Sequence, residues 1–302
     1  MLEKTLWALV RCAIAALLVS AFQTPCVAVS DVPIGASISM RNRAITLGEP
    51  VTLDYVISNN LMEEVYAELG EDHSAWLSVK VGGVEGSGAR KAPDHRPKGG
   101  GGISAPGARV QAGRSYRGTL VLTRMFSIPK PGKYRVSIEV HLPYTLVEAG
   151  ASGVLRTRRS FDLLVNKMDP KRLDETARSL RKAALEAKGY TEREAAIQAL
   201  FSMPEQRVLP QWRALAGEVP YDFGASLVID ELLRVGSKNA ADILAEMWGD
   251  RSRLPQINSE ARIALMNMWW MGDSGLKRHV EALFTAHGEK MPKISGPILR
   301  ID

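Results

Sequence analysis

From Pro129 to Val140 the chain reads as a Pro/Gly turn followed by strict alternation. Tyr134, Val136, Ile138 and Val140 share one face, and Lys133, Arg135, Ser137 and Glu139 share the other. A period of two predicts a half-buried antiparallel strand, one face on a core and one in water. The same alternation predicts strands at 36–40, 51–57, 65–69, 76–81, 115–123 and 154–165; in the second, Val51, Leu53, Tyr55 and Ile57 share a face. Ser58-Asn59-Asn60 closes it with turn chemistry. Short alternating strands separated by turns predict a two-sheet antiparallel β-sandwich over residues 31–166.

Past Asp169-Pro170 the period changes. Leu173, Ala177, Leu180 and Ala184 recur at helical spacing, and Thr191-Glu192-Arg193-Glu194 reads as a capping box opening a helix over 195–201. Apolar helical segments follow at 208–215, 227–234, 240–244, 261–270 and 276–284. They are interrupted at Pro204, Gly236 and Gly272, which stand 32 and 36 residues apart. A helix–break–helix unit recurring at that period predicts a stacked array over 190–287, with 173–187 as a cap or connector; an irregular bundle is the alternative. The expected fold is thus α+β and multidomain: a sandwich at 31–166, an all-α helical domain at 168–290 and a tail at 291–302.

Two resemblances extend this reading. Gly48-Glu49-Pro50-Val51-x-Leu53-x-Tyr55-x-Ile57-x-Asn59, with Pro131-Gly132-x-Tyr134-x-Val136 downstream, resembles the immunoglobulin-like β-sandwich domains of bacterial envelope proteins. The resemblance implies that Tyr134 packs at a corner between the sheets, as in a tyrosine corner, although no cysteine pair accompanies it. The helical units resemble HEAT-like repeats. Both imply scaffolds that present binding surfaces, which is a statement about fold rather than chemistry.

The N-terminus bears on compartment. Lys4 and Arg11 precede an apolar run from Cys12 to Phe22, and Cys26-Val27-Ala28 has the form of a cleavage site, so residues 1–28 are expected to be a signal peptide. The run is too short to span a bilayer, which needs about 20 apolar residues, so no transmembrane segment is expected after cleavage. The expected location is periplasmic or secreted. Cys12 and Cys26 are the only cysteines of the 302 residues, which leaves the mature chain without a disulfide, a thiolate nucleophile or a cysteine metal site.

A net charge of +6 directs attention to residues 82–114, where Arg90, Lys91, Arg96, Lys98, Arg109 and Arg114 surround the glycines 99–102. This insertion reads as flexible and basic, or as a loop that contacts an acidic protein partner or an anionic surface or polymer. No Gly-Lys-Ser/Thr follows the glycines, and no aromatic residues interleave the cations, so neither a phosphate loop nor nucleic-acid binding is expected. Trp269 and Trp270 are a second candidate binding feature; as neighbours they cannot point the same way, and the reading is either that they pack in the core, which is favoured, or that one of them lines a groove.

Chemistry is sparse. Gly272-Asp273-Ser274-Gly275 matches a serine-protease nucleophile motif but lies between helices and reads as a helix cap. The five histidines lack metal-ligand spacing, and Glu71-Asp72-His73 reads as a solvated turn. No catalytic residue, metal or cofactor is expected. The expected function is a non-enzymatic binding or scaffold module of the bacterial cell envelope. The alternatives are an envelope hydrolase with an interdomain site, and a protease inhibitor or assembly factor that inserts its loop into a partner.

Overall fold

The computed structural model describes residues 34–69, 76–83, 90–91, 107–219, 223–292 and 296. The expected signal peptide, Arg96, Lys98 and Glu71-Asp72-His73 lie outside these residues. From Ile34 onward the chain forms one compact unit, with a β half followed by a helical half.

The β half has eleven strands among the described residues: β1 (Ile34–Met40), β2 (Ala44–Thr46), β3 (Thr52–Asn59), β4 (Val65–Glu68), β5 (Leu77–Gly83), β6 (Arg90–Lys91), β7 (Gly107–Val110), β8 (Ser115–Val121), β9 (Phe126–Ser127), β10 (Gly132–Leu146) and β11 (Ser152–Asn166). One sheet has the order β1-β3-β8. The other runs β2-β11-β10-β4-β7, with β5 also on β10, and β6 pairs with β9. The alternation at 133–140 lies in the middle of the larger sheet. There Tyr134, Val136, Ile138, Val140 and Leu142 are buried, and they share one core with Leu53, Tyr55 and Ile57 of the smaller sheet.

Each strand read from the sequence is present, but the longest are longer than expected. β10 and β11 form one hairpin, in register from Gly132↔Val165 to Thr145↔Ser152. The segment 82–114, read as a flexible insertion, contains two strands among its described residues, β6 and β7; Ala108 and Val110 of β7 belong to the core. Two of the glycines in β strands lie directly opposite a tyrosine. Gly118 faces Tyr55 across β3 and β8, and Gly153 faces Tyr144 across the long hairpin. A Cβ would fall 2.3 Å from the ring of Tyr55 or 2.5 Å from that of Tyr144, so each glycine supplies the room in which a tyrosine lies flat over the opposite strand.

Tyr134 occupies the corner position that the resemblance implied. It is 1% exposed, and its hydroxyl donates to the Lys130 carbonyl at 2.7 Å. Pro131-Gly132 turns the chain so that the ring enters the core while its polar end meets the backbone just upstream.

The helical half comprises α1 (Pro170–Glu186), α2 (Tyr190–Phe201), α3 (Glu205–Glu218), α4 (Phe223–Val235), α5 (Lys238–Gly249), α6 (Pro255–Met271) and α7 (Ser274–Ala286). The chain breaks at Pro204, Gly236 and Gly272 as expected. Gly236 takes a φ of 63°, the left-handed conformation suited to a helix end. α2 packs on α4 and α4 on α6; α3 packs on α5 and α5 on α7; α1 covers α2 and α3. The helices thus lie in two layers around a second apolar core.

Hydrogen bonds between successive units repeat at nearly constant sequence separation. Arg213 donates to Glu246, 33 residues on, and Ser226 to Glu260, 34 residues on. Ser237 donates to Glu205, 32 residues back, and His279 meets Asp242 at a separation of 37. The capping box is corrected. α2 begins at Tyr190 with Gly189 at its cap and no side-chain cap bond. Glu194 instead accepts from Gln198, one turn further along the same helix, at 3.0 Å.

Candidate functional site

The most concentrated charge chemistry lies where the β half meets the helices. The chain leaves β8 in a tight 3-10 turn, Leu122–Arg124, against which α2 packs. From that turn Arg124 reaches Glu231 of α4 at 2.7 Å. The other oxygen of Glu231 accepts from Arg234 Nε at 2.6 Å, and Arg234 also donates to the Phe201 carbonyl at 3.2 Å. Phe201 is the last residue of α2, where helix carbonyls lack intrahelical partners and a cation is favourable. The side chains of Arg124, Glu231 and Arg234 are 15%, 3% and 6% exposed.

Glu194 lies beside this chain of charges. Burial raises its carboxyl above the ordinary value, the Arg124 guanidinium pulls it back down, and the Glu231 charge pushes it further up. Burial likewise raises the Tyr55 phenol, with Tyr116 adding to the effect.

A second tie sits at the turn between β2 and β3. Glu49, 6% exposed, accepts from the Thr46 amide at 2.7 Å, from Arg172 at 2.6 Å and from Thr176 at 3.1 Å. Thr46 donates to the Lys167 carbonyl and accepts from the Asp169 amide. Thr123 and Ser202 add a hydroxyl pair at 2.9 Å. Glu231 and Glu49 each face a guanidinium, and Arg234 also meets a helix end, whereas the buried Nε of Arg124 has no hydrogen-bond partner among the described residues; pairing offsets the cost of burying these charges. Mechanically, the arrangement fixes the sheets against the helices.

The residues read as binding candidates are dispersed. The backbones of Arg90 and Lys91 pair with Ser127 and Phe126. Arg109 is exposed on β7, an edge of the larger sheet, and contacts Glu64 at 3.2 Å. Arg114 is exposed at the turn before β8, and its carbonyl accepts from the Asn59 amide. The backbones of these residues thus lie on the β6–β9 pair, on β7 of the larger sheet and in the turn before β8.

Trp269 and Trp270 diverge as expected. Trp269 packs partly on the helical core and donates to Glu281 at 2.8 Å, with Lys277 over its ring at 5.4 Å. Trp270 remains 39% exposed. Asp273 caps α7 by accepting from the Leu276 amide at 2.8 Å, and hydrogen bonds from the Leu276 and Gly275 amides lower its carboxyl. The Gly-Asp-Ser-Gly motif is therefore a helix start.

The junction itself was not among the residues singled out from the sequence. The available signal was Glu231, which falls at helical spacing between the apolar Val228 and Leu232 and so lies on the face that a helix buries.

Among the described residues no group of His, Cys, Asp and Glu is arranged to hold a metal, and no helix is long and apolar enough to cross a membrane. A small apolar cavity of about 10 Å³, lined by residues including Val51, Val81, Leu122, Phe126, Val136 and Leu163, lies in the β half.

No protein-family description matches the sequence, and no curated protein matches it. Among solved structures, a PapD-like domain of human CEP192 aligns at 14% identity and a TM-score of 0.25, covering 44% of this chain and 87% of that one. The CARDB domain of a Pyrococcus furiosus protein aligns at 12% identity and a TM-score of 0.23, covering 45% and 94%. Alpha-2-macroglobulin from Escherichia coli aligns at 11% identity and a TM-score of 0.26, covering 84% and 55%. Likenesses at these scores carry no argument about function, which is therefore taken from this chain's own geometry.

Proposed function

We propose that this chain is a non-enzymatic binding scaffold of the bacterial cell envelope: an immunoglobulin-like sandwich locked to a HEAT-like helical array. The observation that carries this reading is the Arg124–Glu231–Arg234 junction, which joins the two halves through nearly fully buried side chains. A rigid connection of that kind holds two surfaces at a fixed mutual geometry, which is the mechanical requirement of a scaffold. The recurrence of inter-helix bonds at separations of 32 to 37 residues supports the repeat reading. The signal-peptide composition of residues 1–28 supports an extracytoplasmic location.

Trp270, with Trp269 beside it, is the contact we assign to a protein partner on the helical half; Trp is the residue type most enriched where a few side chains carry the binding energy. Arg96 and Lys98 are assigned to an acidic partner or surface. The test is capture from an envelope extract by the full chain, its Trp270→Ala variant and its Arg96→Glu/Lys98→Glu variant. A protein captured by the full chain and lost with Trp270→Ala supports the reading. Capture identical in all three, or catalytic turnover of an envelope polymer by the purified chain, contradicts it.

A further inference from the structure

β11 pairs with β10 along its whole length, but on its other side β2 covers only Leu164, Val165 and Asn166. From Ser152 to Leu163 that second edge carries no ladder among the described residues; β1 packs beside it without pairing. The Leu164 amide donates to the Arg43 carbonyl and the Asn166 carbonyl accepts from the Leu47 amide, so even-numbered residues direct their backbone groups away from β10. By the two-residue alternation of a strand, the N–H and C=O groups of Val154, Arg156, Arg158, Ser160 and Asp162 face the open edge.

The side chains along this edge are of two kinds. Leu155 and Phe161 face the core yet are only partly buried, as expected where the sheet stops one strand short of covering them. Arg156, Arg158 and Arg159 are exposed. Arg158 has Glu139 at 3.4 Å, and Asp162 is paired with Arg135. Arg156 and Arg159 have no hydrogen bond or ion pair among the described residues, and they lie on opposite faces of the strand.

We propose that this edge accepts an extended acidic peptide segment of a partner protein as an added strand. Main-chain bonds to the even-numbered residues supply the pairing. Carboxylates opposite Arg156 and Arg159 supply the charge match, and apolar side chains opposite Leu155 and Phe161 complete the core cover. A second copy of this chain fits poorly, because antiparallel pairing of β11 with itself sets arginines opposite arginines. The site lies on the β half and stands independently of the Trp270 contact.

The test uses the full chain and fluorescent peptides with the core Ile-Glu-Thr-Ser-Glu-Thr-Ile or its reverse, read by anisotropy. At least one orientation binds. N-methylation of the amides of one parity weakens that binding by about tenfold or more, while methylation of the other parity changes it less than about threefold, because only one set faces β11. Arg156→Glu and Arg159→Glu each weaken it by about fivefold, and more salt weakens it further. Ser160→Pro, which removes an edge-facing N–H that an edge strand can spare, abolishes binding with an unchanged melting temperature; if that variant misfolds, the methylated peptides decide alone. No binding by either peptide, equal effects of the two methylation parities, or equal binding of a scrambled peptide of the same charge overturns the proposal.

Discussion

Arg124, on the turn after β8, and Glu231, within α4, meet at 2.7 Å with 15% and 3% of their side chains exposed. Removing one partner leaves the other charge buried. Arg124→Ala is therefore expected to destabilise the chain by about 2–4 kcal/mol, somewhat below a fully orphaned charge because Arg234 still contacts Glu231. Urea unfolding measures this. A loss below about 0.5 kcal/mol would place the pair in the class of exposed ion pairs.

Glu194 gives this junction a pH dependence of defined sign. Burial raises its carboxyl in the folded chain above the ordinary 4.5. The folded state then holds the proton more tightly than the unfolded state, so this contribution is complete below the ordinary value and is lost as pH rises through the folded value. Glu194→Gln keeps an oxygen for Gln198 and removes the titration. Melting temperatures across the weakly acidic range should fall with rising pH in the wild type and fall less in the variant. A steeper fall in the variant would mean that Arg124 depends on the Glu194 charge.

Tyr134 tests the sandwich corner in two stages. Tyr134→Phe loses only the bond to the Lys130 carbonyl and should cost about 1 kcal/mol. Tyr134→Ala also empties a core site and should cost about 3–5 kcal/mol. Both should leave peptide binding at the β11 edge and capture through Trp270 unchanged in any variant that remains folded. Altered binding at unchanged stability would assign Tyr134 a direct contact.

Gly118 lies under the Tyr55 ring, where a Cβ would come within 2.3 Å of it. Gly118→Ala should cost about 1–3 kcal/mol through displacement of that ring. Thermal unfolding reads the loss, and its disappearance in a Tyr55→Val background would identify the ring as the cause. An equal loss in both backgrounds would place the cause in the backbone of β8.

Much of the fold was legible because its signals are local. Alternation over several residues marked β3, β8, β10 and β11, and Pro204, Gly236 and Gly272 marked the helix breaks. β2, β6 and β9 are too short to show a period. β7 lies in a Gly-rich surrounding where only Ala108 and Val110 carry the alternation, and they are buried through pairing with β4. Thr191 and Glu194 have the spacing of a capping box, but the helix starts earlier, at Tyr190 with Gly189 at its cap, and Glu194 bonds to Gln198 within the same helix. The junction is assembled from residues far apart in the chain. Only Glu231, on the apolar face of its helix, carries a signal; Arg124, Glu194 and Arg234 look like ordinary surface charges until the fold brings the turn after β8 onto α2 and α4.

Hydrogen exchange of the intact chain in increasing urea, resolved by peptide, compares β10 with α4 directly. One rigid scaffold held at the Arg124 junction predicts that both segments open at a common midpoint in the wild type and that Arg124→Ala separates them, with the two halves opening at different urea concentrations. Separate midpoints in the wild type, with Arg124→Ala changing neither spacing nor order, would show two independently stable halves and contradict the scaffold.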